Sequence, residues 1–166
     1  MNAYLSRLLD RMHVRGRGPQ DWMCTASGRQ YFPANPRAED VCITDIAHHL
    51  SRLCRYTGAV LVEHYSVAEH SVHVSHVVPP EHALCGLLHD AAEAYTNDLS
   101  RPLKRSLPDY KQIEAKNWAV ICEVFGLPPE KFIGTHFLQH IAPESVERVR
   151  RQTTRTYDPS DPGTFA

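Results

Sequence analysis

Three polar side chains of the stretch Leu87-Leu88-His89-Asp90-Ala91-Ala92-Glu93 are typed and spaced for chemistry. On a helix each residue advances roughly 100° around the axis. His89, Asp90 and Glu93 then share one arc, with Gly86 inside it, while Leu84, Leu87, Leu88, Ala91 and Tyr95 form an apolar face opposite. Read plainly, such an arc is a solvated polar face. Read chemically, it is half of a divalent-metal site, since imidazole nitrogen with carboxylate oxygen suits Zn, Mn, Fe, Co or Ni. One helix rarely closes such a site, so a second element must contribute.

The segment before it is placed to do so. Ser66-Val67-Ala68-Glu69 has the form of a capping box and predicts a helix over 66–78 that carries His70, His73 and His76 and ends at Pro79-Pro80. Pro80 opens the next predicted helix, which carries His89-Asp90 and runs to about Thr96. So short a linker makes the two helices antiparallel neighbours. Glu69 is explained by the cap, and His73, His76 and His82 read as surface residues.

The other elements are read from the same signals. Residues 2–13 pattern as a short amphipathic helix, and 22–35 as an irregular or hairpin segment turning at Ser27-Gly28. Over 43–57, Ile43, Ile46, Ala47, Leu50, Leu53 and Cys54 form a stripe, with Asp45 in the first turn and Gly58 as the stop. Leu99 to Lys104 reads as a loop or single turn broken by Pro102. A helix over 110–125 buries Ile113, Trp118, Ile121, Cys122 and Phe125 and stops at Gly126. Short helices follow at 130–141 and from Pro143. The polar tail 153–166 reads as disordered. The expectation is an all-α fold of about six helices in one domain over 1–152, with the small segment near 22–35 as its exception.

Composition excludes several classes. Eighteen Lys and Arg balance nineteen Asp and Glu, so net charge argues against a nucleic-acid polymer or a membrane surface as partner. No apolar run approaches the ~18 residues of a membrane span. Met1 to His13 lacks the apolar centre of a signal peptide, so a cytoplasmic protein is expected. The five cysteines are widely spaced with no Cys-x-x-Cys pair, which argues for reduced thiols, mostly core residues, and against a zinc ribbon. No Gly-x-Ser-x-Gly elbow, Gly-x-x-x-x-Gly-Lys loop or His-Glu-x-x-His motif occurs.

The order Ala68-Glu69-His70-Ser71, His89-Asp90-Ala91-Ala92-Glu93, Asp98-Leu99 and Pro102-Leu103-Lys104 resembles the HD-domain metal-dependent phosphohydrolases. Asp45-Ile46-Ala47-His48 leading to Arg55-Tyr56, and Thr25 to Arg29 with Pro33, strengthen the likeness. The resemblance covers about residues 22–126 and is closest to the bacterial 5′-deoxynucleotidases and phage deoxynucleotide hydrolases. It implies an all-helical fold and one divalent ion (Mn, Co, Zn, Fe, Ni or Mg) held by His70, His89 and Asp90. It implies catalytic roles for Glu93 and Asp98 on the water or the leaving group. Arg55, Tyr56 and Lys104 would meet the substrate, the two cations offsetting phosphate charge. The partner implied is a small nucleotide, mono- or triphosphate, and the protein a homo-oligomer. The family's fourth ligand, a later aspartate, has no counterpart: beyond residue 126 only Asp158 and Asp161 occur. His136, His140, Glu144 or water would replace it. The rival reading is a catalytically impaired nucleotide-binding or regulatory protein.

Overall fold

The computed structural model of the chain describes residues 18, 21–60 and 63–128. The predicted helices at 2–13, 130–141 and from Pro143, the tail 153–166, and His136, His140 and Glu144 lie outside them. The described residues are broadly all-α, with a single two-stranded sheet. The chain divides into two compact units, 1–49 with 91–129 and 50–90 with 130–166.

The first unit opens on the expected hairpin. Strand β1 (Met23–Cys24) pairs antiparallel with β2 (Gln30–Tyr31), and Gly28 supplies the positive φ of 81° in the turn between them. Helix α1 spans Ile43–Arg52 and crosses from the first unit into the second. Its Asp45 does more than face the helix dipole. The carboxylate is 1% exposed and accepts from the Ser27 backbone N–H at 2.7 Å and the Ser27 hydroxyl at 2.8 Å. His49, one turn on, accepts from the Ala26 N–H and donates Nδ1–H to the Ala94 carbonyl, so its tautomer is set by structural bonds. The hairpin is thus fastened to α1 by polar contacts.

Burial alone would raise the Asp45 pKa, but the hydrogen bonds from Ser27 and Thr25 bring it below the ordinary carboxylate value. A depressed folded-state pKa contributes stability that is present above the unfolded value, about 3.9, and is lost as pH falls through the folded one. Asp45→Asn should therefore cost about 1–2 kcal/mol at pH 7. The two urea midpoints should converge as pH falls below the ordinary carboxylate range; a gap at acid pH equal to that at pH 7 would refute the linkage.

Helices α2 (Val67–Val77) and α3 (Ala83–Leu88) belong to the second unit. The rest of the first is helical: α4 covers Glu93–Thr96, α5 Arg101–Arg105 and α6 Pro108–Phe125. Pro102 starts α5 rather than breaking the segment, because a proline in a first turn forfeits no intrahelical bond. Gly126 ends α6 in the left-handed conformation, and the Leu127 N–H returns to the Cys122 carbonyl. The core holds Tyr31, Ile46, Tyr95, Trp118 and Ile121, with Tyr31 and Tyr95 stacked 3.6 Å apart. Ile113 and Phe125 are only half-buried; Glu114 and Asn117 take the inward positions.

The second unit holds the helix pair. Helix α2 spans Val67–Val77, and the Ser66 hydroxyl accepts from the Glu69 N–H at 3.0 Å, as the capping pattern requires. Residues 80–82 form a 3₁₀ turn and α3 covers Ala83–Leu88. The expected single helix to Thr96 is therefore interrupted: His89 to Ala92 form a turn before α4.

Candidate metal centre

The α2–α3 pair is antiparallel in its contacts, with Gly86 against Ser75 and His89 against His70. The face that α3 buries is rotated by roughly 100° from the sequence expectation. Cys85, Gly86 and Leu88 point inward, whereas Leu84 and Leu87 are exposed. Gly86 explains the geometry. A Cβ there would stand 3.2 Å from the Ser75 Cα and 3.1 Å from a Val78 methyl. Its absence lets the two backbones close up and turns the polar arc toward α2.

His70, His89 and Asp90 meet there. His70 Nε2 lies 3.2 Å from His89 Nε2; Asp90 Oδ2 lies 3.1 Å from His89 Nε2 and 3.7 Å from His70 Nε2. Among the described residues this group could hold a metal ion. Ligand atoms about 2.1 Å from one ion stand roughly 3.4 Å apart in a tetrahedral array and roughly 3.0 Å apart as octahedral neighbours. The observed edges, 3.1, 3.2 and 3.7 Å, lie on either side of the tetrahedral value and just above the octahedral one, so the donor set fits a first-row divalent ion in type and spacing.

The supports of the three side chains are local. His70 is one helical turn beyond the Ser66 cap, on the buried face with Val67, Ser71 and Val74. His89 Nδ1–H donates to the Gly86 carbonyl at 2.7 Å, which orients Nε2 toward the cluster. His70 Nδ1 is buried and has no hydrogen-bond partner among the described residues. Burial, then the Arg55 guanidinium, pushes the His70 imidazole down to about 3. That keeps it neutral, the form that ligates metals. For Asp90 burial acts upward, but His89 and Arg55 hold its carboxyl well below the usual range. For His89 burial acts downward, and Asp90 more than offsets it.

Arg55 reaches the cluster by a route unlike the predicted one. The helix over 43–57 stops at Arg52, because Cys54 forms an antiparallel bridge with Ser66. The Arg55 N–H donates to the Tyr65 carbonyl and the Val67 N–H to that of Leu53. Tyr56 and Thr57 then follow at φ 56° and 58°, and Gly58 at 83°. Non-glycine residues held there cost roughly 1–2 kcal/mol each, so the bridge must fix this turn. The outcome is an Arg55 Nη1 donating to Asp90 Oδ2 at 3.0 Å, with its guanidinium 5.3 Å from the centre of the half-exposed Tyr56 ring.

Glu93, Asp98 and Lys104 lie in the first unit, as does His48. Glu93 is 5% exposed, and its Oε1 accepts from Lys104 Nζ at 3.4 Å. Lys104 also donates to Glu114 Oε1 at 2.6 Å. Asp98 sits, half-buried, in the loop after α4. His48 is exposed. His73 pairs with Glu69 at 3.7 Å on the surface of α2. Sequence reasoning missed Glu114, which sits three residues before Asn117 on the buried face of α6; an acidic residue among apolar ones in that stripe was the available signal. All five cysteines are free, but only Cys85 and Cys122 are buried, so the core expectation fails for Cys24, Cys42 and Cys54. Among the described residues no helix is long and apolar enough to cross a membrane.

The chain is 50% identical over 105 residues to YfdR, an uncharacterized protein of Escherichia coli K12; the match covers 63% of this chain and 58% of YfdR. An uncharacterized protein of Rhodobacter capsulatus is 33% identical over 116 residues, 64% of this chain and 59% of that protein. The chain thus spans just under three fifths of the length of these relatives. No family model matches it.

Proposed function

We propose that this chain is a metal-dependent phosphohydrolase acting on (deoxy)nucleotides, of the 5′-nucleotidase or dNTP triphosphohydrolase type, in the cytoplasm. The observation that carries the reading is the His70–His89–Asp90 triangle, with edges of 3.1 to 3.7 Å. Its likeness to the HD-domain phosphohydrolases supplies the reaction class. A bound divalent ion lowers the pKa of its water and polarises a phosphoryl oxygen. The chain's own residues do the rest. His70, His89 and Asp90 would hold the ion. The Gly86 carbonyl keeps the His89 ring turned, and Arg55 keeps Asp90 in place while setting a permanent positive charge beside the cluster. The Tyr56 ring would pack against sugar or base. Glu93 and Asp98 keep the roles that the resemblance implies, on the water and the leaving group.

Protein loaded with Mn, Co or Mg should release phosphate or polyphosphate from at least one member of a nucleotide panel, and EDTA should stop it. His89→Ala should abolish the release; unchanged turnover would reject the assignment.

A second reading, an impaired nucleotide-binding or regulatory protein, is favoured by one observation. Arg55 Nη1 already engages Asp90 Oδ2, the oxygen that an ion would need. This reading predicts nucleotide-induced thermal stabilisation without turnover, and a protein that keeps no metal through dialysis.

A further inference from the structure

Lys104 is read from sequence as a phosphate ligand, and its surroundings argue otherwise. Its Nζ donates to Glu114 at 2.6 Å and to Glu93 at 3.4 Å. Glu93 and Glu114 are both buried residues, their side chains 6% and 11% exposed. Buried carboxylates need a partner, and this ammonium serves both. A phosphate approaching Nζ would meet a cation already compensated, with carboxylates beside it.

The cluster also ties three elements. Glu93 opens α4, Lys104 is in the last turn of α5, and Glu114 is two turns into α6. The Tyr110 ring lies 5.6 Å from Nζ, and its hydroxyl donates at 2.7 Å to the carbonyl of Asn97, the residue that ends α4 at φ 72°. Burial acts to lower the Lys104 pKa, but Glu114 and Glu93 carry it above the ordinary lysine value. The side chain is a fixed cation between its partners.

We propose that Lys104 is a positioning residue: anchored on Glu114, it sets the orientation of the Glu93 carboxylate and does not bind phosphate. The use made of that orientation rests on the phosphohydrolase reading; the positioning itself does not.

Full-length Lys104→Met, Lys104→Arg, Glu114→Gln, Glu93→Gln and the Lys104→Met/Glu93→Gln double variant test it. In urea, Lys104→Met should lower the unfolding midpoint, and the double variant should lie nearer the wild type than the sum of the two single losses, since Lys104 and Glu93 interact directly. Additive midpoints overturn the proposal. With the best nucleotide substrate, Lys104→Met and Glu114→Gln should each lower kcat about tenfold or more, leaving KM and inhibition by inorganic phosphate within about threefold. Lys104→Arg should regain most of the rate. On a Glu93→Gln background Lys104→Met should cost nothing further. A rise of about tenfold in KM and in the phosphate inhibition constant with kcat kept, the order expected for a lost phosphate contact, assigns Lys104 to the substrate and overturns the proposal. Should Lys104→Met not fold, Glu114→Gln carries the kinetic arm. Bound manganese should be unchanged in every variant. A wild-type protein inert toward all nucleotides removes the hydrolase reading, and the urea cycle still decides the positioning.

Discussion

On the proposed reading, Asp90→Ala should abolish metal binding and turnover together. One side chain carries three contacts: Oδ2 faces both imidazole Nε2 atoms and accepts from Arg55 Nη1. Partners outside the ligand set are by themselves worth ten- to a hundredfold in affinity, so loss of a ligand should exceed about a hundredfold. The variant should also be less stable by about 1–3 kcal/mol, because the Arg55 guanidinium, only 18% exposed, loses its counter-ion. Asp90→Ala/Arg55→Met should recover much of that stability and none of the metal. Equilibrium dialysis with manganese and urea unfolding read the two effects separately. Retention of near one equivalent of manganese by Asp90→Ala would remove the metal centre from consideration.

The largest stability effect is expected far along the sequence from these ligands. Asn117 is fully buried and its side chain uses both ends. Oδ1 accepts from the Tyr31 hydroxyl at 2.6 Å, and Nδ2 donates to the carbonyls of Pro33 and Ile113 at 2.8 Å. Asn117→Ala removes the bonds to the Tyr31 hydroxyl and the Pro33 carbonyl and opens a void in the core. The expected loss is about 2–4 kcal/mol. Tyr31→Phe removes the bond to Asn117 and should cost about 1–2 kcal/mol. Urea titrations followed by the fluorescence of buried Trp118 measure both, and equal losses in the two variants would count against the network as described.

Elements whose signals are local were legible in the residues. The Ser66 cap, the stop at Gly126 and the turn at Gly28 each need only their own neighbours to form, and each occurs where its residues predict. Features set by distant partners were not legible. The stripe ending in Leu53-Cys54 continues a helical period, but a ladder bridge to Ser66 ends the helix first. Ile43 and Ala47 belong to the apolar period of α1 and are exposed, while Asp45 is buried, because the hairpin offers hydrogen bonds on that side. The convergence of His70 and His89 was suggested by a short linker. The direction of the arc depended on Gly86, and a missing side chain has no hydropathy to read.

That same glycine bears on which ions such a centre would admit. The close approach of α2 and α3 at Gly86 sets the separation of the backbones that carry the two imidazoles. Three donors mounted this way behave as a gauge of fixed aperture: a larger cation would have to prise the helices apart, and a smaller one would leave a donor short. Size discrimination would then reside in the crossing of two helices, and the chain could alter it without exchanging any of the residues that touch the ion.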